Sequence, residues 1–142
     1  MSDEVCERRM EELRREAPLR PRGVWSRDGG RFLLCGTLGP EFDAWQRRLA
    51  TASAADAYFA QRIGLEAVEA EMDRLEAAAR QSAAAGETVL PRRSPGYPGW
   101  PIELNHEIVA RLDATRRIGV AVTDAHLLVP LKSVTAVCEV KA

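Results

Sequence analysis

The segment RRSPGYPGWP, residues 92–101, constrains the fold of this chain more than any other stretch. Each of its three prolines holds φ at about −65° and restricts the residue before it, so neither a helix nor a central strand continues through the segment. Gly96 and Gly99 add backbone conformations that residues with side chains rarely adopt. The segment is therefore predicted to be a stiff, extended loop between two helices.

The chain before this loop carries the signals of a helix and a hairpin. Residues 2–16 are predicted to form a short helix with Ser2 or Asp3 as its N-cap. Asp28-Gly29 lies between two short runs rich in apolar residues, which is a strong signal for a β-hairpin.

Two more helices are predicted to follow the hairpin. Pro40 suits the first position of a helix that runs to about Leu49. Ser53 and Asp56 have the spacing of a capping box at the start of the longest helix, which Gly86 is predicted to end. An apolar stripe along that helix is expected to pack on another layer: Leu65, Val68, Met72, Leu75 and Ala79.

The chain after the loop predicts one helix and two strands. Pro101 stands at the start of a helix in which Leu104, Ile108 and Leu112 fall four residues apart. The runs at 118–130 and 133–140 are β-like, and the second alternates apolar residues onto one face. The order of elements indicates an α+β domain, with helices packed on an antiparallel or mixed sheet.

Composition narrows the functional classes. The 142 residues favour a single domain, and 20 Lys plus Arg against 21 Asp plus Glu predict neither a nucleic-acid partner nor attraction to a membrane. No apolar run approaches the ~20 residues that span a bilayer, and the charged start is unlike a secretory signal, so a cytoplasmic location is expected. Cys6, Cys35 and Cys138 lack metal-site spacing and are interpreted as small apolar residues in a reducing compartment.

The side chains of the loop fit a ligand with three different parts. Arg92 and Arg93 can meet a carboxylate, while Tyr97 and Trp100 offer aromatic faces to a cation. A carboxylate, a cation and a flat ring are the parts of S-adenosylmethionine (AdoMet). The same residues also fit a plain connection closed by an aromatic plug, so the pattern alone leaves both interpretations open.

Other polar side chains have simple structural interpretations. The acidic row Glu66, Glu69, Asp73 and Glu76 fits a solvated helix face, with Arg62–Glu66 and Glu76–Arg80 as i,i+4 pairs. His106 is expected on the polar side of a helix. His126 is expected to be packed and hydrogen-bonded in a strand, and neither histidine has a metal-ligand companion at useful spacing.

RRSPGYPGWP together with IGVAVTDAHLLVPLKSVTAV resembles the reactivation, or AdoMet-binding, domain of cobalamin-dependent methionine synthase over roughly residues 20–140. The resemblance implies one AdoMet-binding domain over residues 1–142. An N-terminal helix over 1–20 would precede a family-like core over 21–142, with the α+β fold of the methionine synthase activation domain. It implies AdoMet as ligand or substrate, with no metal and no pyridoxal phosphate.

The resemblance also implies roles for individual residues. Arg92 would meet the AdoMet carboxylate, Glu69 its amino group, and Tyr97 would stand as the loop tyrosine beside Ser94. The backbone around Pro95 and Gly96 would lie along the adenosine. Two of the departures of this sequence from the family concern its chemistry. Thr123-Asp124-Ala125 replaces Thr-Glu-Ser, which keeps an acid at Asp124, and no cobalamin-binding Asp-x-His-x-x-Gly motif occurs.

Three functions follow from these features. The first is to position AdoMet for reductive methylation of a corrinoid methyltransferase partner. The second is a small enzyme, independent of pyridoxal phosphate, that cyclises AdoMet to 1-aminocyclopropane-1-carboxylate and releases methylthioadenosine, with Glu69, Tyr97 or Asp124 as catalytic base. The first function would make the protein an accessory of a methyltransferase, and the second would make it a lyase. The third is a non-catalytic AdoMet sensor, and an exposed strand edge would allow a homo-oligomer in each case.

Overall fold

The structure is a computed structural model that describes residues 2–142. The helices of this part of the chain are α1 (Asp3–Glu16), α2 (Pro40–Ala52), α3 (Ala54–Ser82), α4 (Leu104–Leu112) and α5 (Ala114–Ile118). The strands are β1 (Arg22–Asp28), β2 (Arg31–Thr37), β3 (Thr88–Val89), β4 (Ala121–Val122), β5 (Leu128–Val129) and β6 (Ser133–Lys141).

Four strands form one antiparallel sheet in the order β1-β2-β6-β3. The hairpin register runs from Arg22 opposite Thr37 to Asp28 opposite Arg31, so Gly29 and Gly30 alone make the turn. Gly29 has a φ of +61°, as the first central residue of a type II′ turn requires. β4 and β5 form a separate antiparallel pair. The predicted α+β class is confirmed, and every strand pair is antiparallel.

Helices cover both faces of the sheet. Along β2, Phe32 and Leu34 pack on the side of α3, whereas Leu33 and Cys35 pack on the side of α4 and α5. A strand that is buried on both faces needs apolar residues at successive positions, which accounts for the run RFLLCG. A third cluster joins α1 and α2 to the start of α3 around Leu13, Phe42, Trp45 and Ile63.

The local signals for element starts are confirmed. The Ser2 hydroxyl accepts from the N–H of Val5 at 3.2 Å, and Pro40 is the first residue of α2. The Ser53 hydroxyl accepts from the N–H of Asp56 at 3.2 Å and caps α3. The other half of the predicted capping box does not form, because the Asp56 carboxylate accepts from Arg9 and the N–H of Ser53 donates to the Leu49 carbonyl at 3.0 Å. In the last strand, Ala136 and Cys138 face α3, with the alternation predicted for that strand.

Several boundaries differ from the prediction. α3 ends at Ser82 rather than near Gly86, which lies in the following turn, and α4 begins at Leu104 because the chain from Pro101 first makes a turn. Leu65 is 48% exposed and does not join the apolar stripe. The buried side of α3 at this level is formed by Ile63 and Gly64, which face α2 and the β5–β6 connection.

No helix in the described part of the chain has both the length and the apolarity that a membrane crossing requires.

Candidate functional site

A β-bulge at the edge of the sheet positions Arg92. Backbone hydrogen bonds tie the chain on either side of it to β6, from the N–H of Leu90 to Glu139 at 2.8 Å and in both directions between Arg93 and Val137 at 2.9 and 2.8 Å. Pro91 and Arg92 therefore lie opposite a single residue of β6, which is the arrangement of a bulge. Pro91 has no N–H to donate, and bulges in edge strands accommodate such a residue.

The guanidinium of Arg92 is held by three carboxylates of α3. Its Nη2 donates to Glu69 Oε2 at 2.7 Å, and its Nη1 donates to Asp73 Oδ1 at 2.8 Å and to Glu76 Oε1 at 2.9 Å. Partial burial by itself lowers the pKa of Arg92, but the hydrogen bonds to Asp73, Glu69 and Glu76 outweigh it and raise that pKa. The guanidinium therefore stays charged.

Glu76 connects this cluster to the sheet. Its Oε2 accepts from Nε and Nη2 of Arg80 at 3.1 and 2.8 Å, and Arg80 Nη1 donates to the Val89 carbonyl at 2.6 Å. The side chain of Glu76 is 18% exposed, compared with 55% for Glu69 and 72% for Asp73. The linked set of three carboxylates and two guanidiniums carries one net negative charge.

The proline-rich loop folds back on itself, which corrects the predicted extended shape. The N–H of Gly96 donates to the Trp100 carbonyl at 2.7 Å, and the N–H of Trp100 donates to the Tyr97 carbonyl at 2.9 Å. Gly96 and Gly99 have φ of +99° and +84°, conformations that make these turns possible. The prolines interrupt regular structure, and the glycines then let the chain close into successive turns.

A cavity of about 570 Å³ lies beside Arg92 between α3 and the loop, and this volume is typical of small-molecule sites. Its lining residues are Glu69, Arg92, Arg93, Ser94, Tyr97, Pro98 and Trp100. Trp100 is half-buried against the core beneath α4 and gives the cavity a fixed wall. Tyr97 is 69% exposed, so the cavity opens to solvent on its side.

The structure brings together four of the seven residues that the resemblance suggested for the site, and Arg93 and Trp100, which the loop pattern suggested, join them. Glu69, Arg92, Ser94 and Tyr97 line the cavity. Pro95 is not among its lining residues, and Gly96 faces a neighbouring, shallower depression of about 550 Å³ that shares the Trp100 wall.

Asp124 does not line the cavity, although the sequence made it a candidate base. It is exposed in the turn between β4 and β5, where the N–H of Thr123 donates to the Leu127 carbonyl at 2.8 Å. The 118–130 run was predicted to be continuous strand. It instead forms two short strands around this turn, and the turn directs Asp124 to solvent.

Asp73 and Glu76 are contacts of Arg92 that sequence reasoning missed. The sequence assigned them to a solvated face with Glu66 and Glu69. The exposure of Glu66 at 48%, Glu69 at 55% and Asp73 at 72% agrees with that assignment, and Glu66 pairs with Arg14 at 3.0 Å and with Arg62 at 3.9 Å. Glu76 does not fit it, because its side chain is 18% exposed. The predicted Glu76–Arg80 pair is present. Their spacing in the sequence could have indicated this contact. Glu69, Asp73 and Glu76 are four and three residues apart, which places them on one face of a helix.

The LKSV segment, which carries part of the family resemblance, has a structural role. Lys132 is buried, and its Nζ donates to Gln61 at 2.7 Å and to Gln46 at 3.3 Å, which joins α2 and α3 to the start of β6. Gly64 makes this crossing possible, because a Cβ there would lie 2.8 Å from Lys132 Cε. The Ser133 hydroxyl shares a 2.7 Å hydrogen bond with Thr37.

The two histidines lie together, which the sequence did not indicate. His106 Nε2 and His126 Nδ1 are 2.9 Å apart, and His126 has a φ of +68° in the β4–β5 turn rather than in a strand. Within residues 2–142, no three His, Cys, Asp or Glu side chains gather in a way that holds a metal ion. Cys35 and Cys138 are buried, and Cys6 is half-buried.

Comparison with known proteins identifies the fold. No family model and no curated protein matches the sequence. Among solved structures, the crystal structure of the MetH reactivation domain bound to AdoHcy matches with a TM-score of 0.68 and 15% sequence identity. The match covers 96% of this chain but 63% of the other, so this chain spans less than two thirds of its neighbour's length. The chain has the fold of that domain, which the resemblance of the loop and the LKSV segment had implied.

Proposed function

We propose that this protein binds AdoMet in the cavity beside Arg92 and presents it to a corrinoid protein for reductive methylation. The observation that carries the proposal is the meeting of Arg92, Glu69, Ser94 and Tyr97 around one cavity of suitable size. The AdoHcy in the neighbouring structure supports it, because AdoHcy is AdoMet without the transferred methyl group.

Charge complementarity supports AdoMet as the ligand. AdoMet carries a sulfonium, an ammonium and a carboxylate, and the lining of the cavity offers charges of both signs, two cations at Arg92 and Arg93 and one anion at Glu69. In the proposed complex Arg92 binds the ligand carboxylate and Glu69 binds the amino group. Tyr97 and Trp100 offer aromatic faces to the sulfonium or the adenine ring.

The exposure of the cavity favours presentation over chemistry inside the protein. Tyr97 is 69% exposed, and Gly96 and Pro98 are exposed beside it, so a bound methyl donor would remain accessible to a second protein. An electron donor would reduce the cobalt while the methyl group moves from sulfur to the metal and AdoHcy is left. The reactive chemistry then belongs to the cofactors, and this chain supplies orientation.

Cyclisation of AdoMet is the second candidate, since two of its three candidate bases, Glu69 and Tyr97, line the cavity. A base would remove the Cα proton, Cα would attack Cγ, and the C–S bond would break to release methylthioadenosine. This carbanion-like step needs a site that excludes water, and the open side at Tyr97 does not provide one. A non-catalytic sensor would bind AdoMet but would neither support methyl transfer nor release methylthioadenosine.

Calorimetry with AdoMet, followed by mass spectrometry, tests these functions. We expect binding of one AdoMet per chain and no methylthioadenosine or cyclised amino acid. Adding a cob(II)alamin-loaded methyltransferase and a reductant should then produce methylcobalamin. Arg92→Lys keeps the charge among the carboxylates but loses the two-pronged contact, and it should weaken binding about tenfold or more.

Arg116→Lys is the control, because Arg116 is 77% exposed on α5 and does not line the cavity. It should bind AdoMet as the unmodified protein does. Absence of binding by the unmodified protein would refute the proposal. Formation of methylthioadenosine would show that the protein is the cyclase instead. Binding of AdoMet without methyl transfer to cobalamin would favour the non-catalytic sensor.

A further inference from the structure

We infer that His106 and His126 form a binding site for a divalent late transition-metal ion such as Ni²⁺ or Cu²⁺. The two residues are 20 positions apart in the sequence, which is not the spacing of a metal motif, and the fold brings their ring nitrogens together. Neither histidine lines the cavity beside Arg92, so this site is separate from the proposed AdoMet site and does not depend on it.

One buried side chain of α4 positions both histidines. Asn105 is 5% exposed, and its Nδ2 donates to the His126 carbonyl at 2.9 Å. Its Oδ1 accepts from the Thr135 hydroxyl of β6 at 2.6 Å. His106 directly follows Asn105 in α4, so the same point of the helix carries one ring and anchors the turn that carries the other. The pair is therefore ordered before a metal ion arrives, which lowers the cost of binding.

The backbone of the β4–β5 turn holds His126 in a conformation that few residues adopt. Its φ of +68° lies in the left-handed region, where histidine, asparagine and aspartate are over-represented among residues other than glycine. The N–H of His126 donates to the Thr123 carbonyl at 2.9 Å, and the N–H of Leu127 donates to the Thr123 hydroxyl at 3.2 Å. With the bond from Asn105, these contacts hold the backbone where the ring of His126 meets that of His106.

The geometry of the pair matches two adjacent ligands of one metal ion. His106 Nε2 and His126 Nδ1 are 2.9 Å apart, and the two ring planes are nearly perpendicular, at 86°. With metal–imidazole bonds of about 2.0–2.1 Å, a right angle at the metal separates the nitrogens by about 2.9 Å and a tetrahedral angle by about 3.3 Å. Right angles are typical of Cu²⁺ and Ni²⁺, whereas Zn²⁺ prefers the tetrahedral angle.

Metal binding requires only a change of tautomer at the pair. In the neutral pair one of the two facing nitrogens carries a proton and donates it to the other. When a metal ion binds both facing nitrogens, that proton moves through water to the outer nitrogen of the same ring, and the charge of both rings is unchanged. No third His, Cys, Asp or Glu gathers with the pair within residues 2–142, and His106 is exposed, so water completes the coordination shell.

Calorimetry with Ni²⁺ at pH 8, on the full chain without an affinity tag, tests the site. We expect one Ni²⁺ per chain, and weaker binding of Zn²⁺. His106→Gln and His126→Asn each remove one ring, and asparagine tolerates the left-handed φ at position 126. Each variant should bind Ni²⁺ at least about tenfold more weakly, because the second nitrogen of a pair binds at a high effective concentration.

Asp124→Asn is the matched control, since Asp124 is exposed in the same turn, two residues from His126. It should bind Ni²⁺ as the unmodified protein does. The folded chain alone pairs the two histidines, so Ni²⁺ should also raise the urea midpoint of the unmodified protein and of Asp124→Asn, but not that of His126→Asn. The midpoint without metal shows whether each variant is folded.

The outcomes that overturn the inference are distinct. Absence of Ni²⁺ binding would remove the site, and two ions per chain would mean that each histidine binds alone. Undiminished binding in either histidine variant would also contradict the pair, and an equal loss in Asp124→Asn would assign the ion to a carboxylate. Binding of Zn²⁺ as tight as that of Ni²⁺ would contradict the right-angled geometry. None of these measurements involves AdoMet, so the proposed function stands or falls separately.

Discussion

Arg92 and Lys132 are both cationic side chains withdrawn from solvent, and their partners give them different roles. Arg92 is bonded to three carboxylates, which outweigh the effect of partial burial and raise its pKa. Burial lowers the pKa of Lys132, with the charge of Asp43 acting against that change, and its hydrogen bonds go to two neutral amides. Arg92 is held by the carboxylates of α3 beside the cavity, whereas Lys132 joins helices to the sheet.

The cysteines provide a prediction at the scale of single residues. Burial raises the pKa of the Cys35 thiol to about 12. Burial is also the largest cause that raises the pKa of the Cys138 thiol to about 11. The thiolate is the reactive form, so neither should react with a disulfide reagent in the folded protein at pH 8. Cys6 is half-buried on α1 and should be the one thiol that reacts.

Counting thiols with Ellman's reagent checks this prediction. We expect one thiol before and three after addition of guanidinium chloride. Cys6→Ser should remove the fast reaction, and a second fast thiol in the native protein would contradict the burial of Cys35 and Cys138.

Among the secondary-structure elements, α3 determines the site because it carries two adjacent faces. Val68, Met72 and Leu75 are buried towards the core, and the acidic row of Glu69, Asp73 and Glu76 lies beside them. Burial of the apolar face fixes the rotation of the helix, so the acidic row is held against Arg92, with Glu69 at the cavity. The bulge after β3 brings Arg92 to the same place from the sheet edge.

The start of α3 provides a prediction for this element. Ser53 satisfies the N–H of Asp56 at 3.2 Å, and replacing a serine N-cap with alanine usually costs about 1 kcal/mol. Ser53→Ala should therefore lower the free energy of unfolding by roughly 0.5–2 kcal/mol, measured by urea denaturation. Gln81→Ala, near the exposed other end of α3 and without a side-chain hydrogen bond among residues 2–142, is the control and should change it by less than about 0.5 kcal/mol. Equal effects would mean that Ser53 does not act as a cap.

At the scale of the whole molecule, ion pairs connect elements that are distant in sequence. Arg27 of β1 makes two hydrogen bonds, at 2.8 and 2.6 Å, with Glu87 beyond the end of α3. Arg9 of α1 makes two with Asp56 of α3, at 3.0 and 2.7 Å. These pairs hold the outer elements to the sheet and to α3, and they depend on ionised carboxylates.

Acidification should therefore weaken the fold in a defined window of pH. The hydrogen bonds from Arg27 and from the N–H of Ala84 hold the pKa of Glu87 at about 2, below its usual value of 4.5. A lowered folded-state pKa contributes stability that is present above about pH 4.5 and is lost as the pH falls towards about 2. The urea midpoint should fall through this window, and less so in high salt, because Glu87 is exposed to solvent screening.

Glu87→Gln isolates this contribution. The urea midpoint of the variant should fall less steeply than that of the unmodified protein between pH 5 and pH 2. Glu4→Gln removes an exposed carboxylate that forms no ion pair within residues 2–142, and it should follow the unmodified protein. A Glu87→Gln curve that is parallel to that of the unmodified protein would show that this pair does not link stability to pH.

The sequence by itself determined the elements whose signals are local. The conformational preferences of a few neighbouring residues set the hairpin turn that follows Asp28, Pro40 at the start of α2, the Ser53 cap and the α+β class. The resemblance in the loop and the LKSV segment also led to the fold shared with the MetH reactivation domain. Only the tertiary structure decided the partners of Arg92, which lie 16 to 23 residues away along the chain. Their meeting depends on the packing of α3 and on the bulge that turns Arg92 towards it, and no local pattern encodes either one. The position of Asp124 outside the cavity was likewise decided by the tertiary structure, which places the β4–β5 turn away from the cavity.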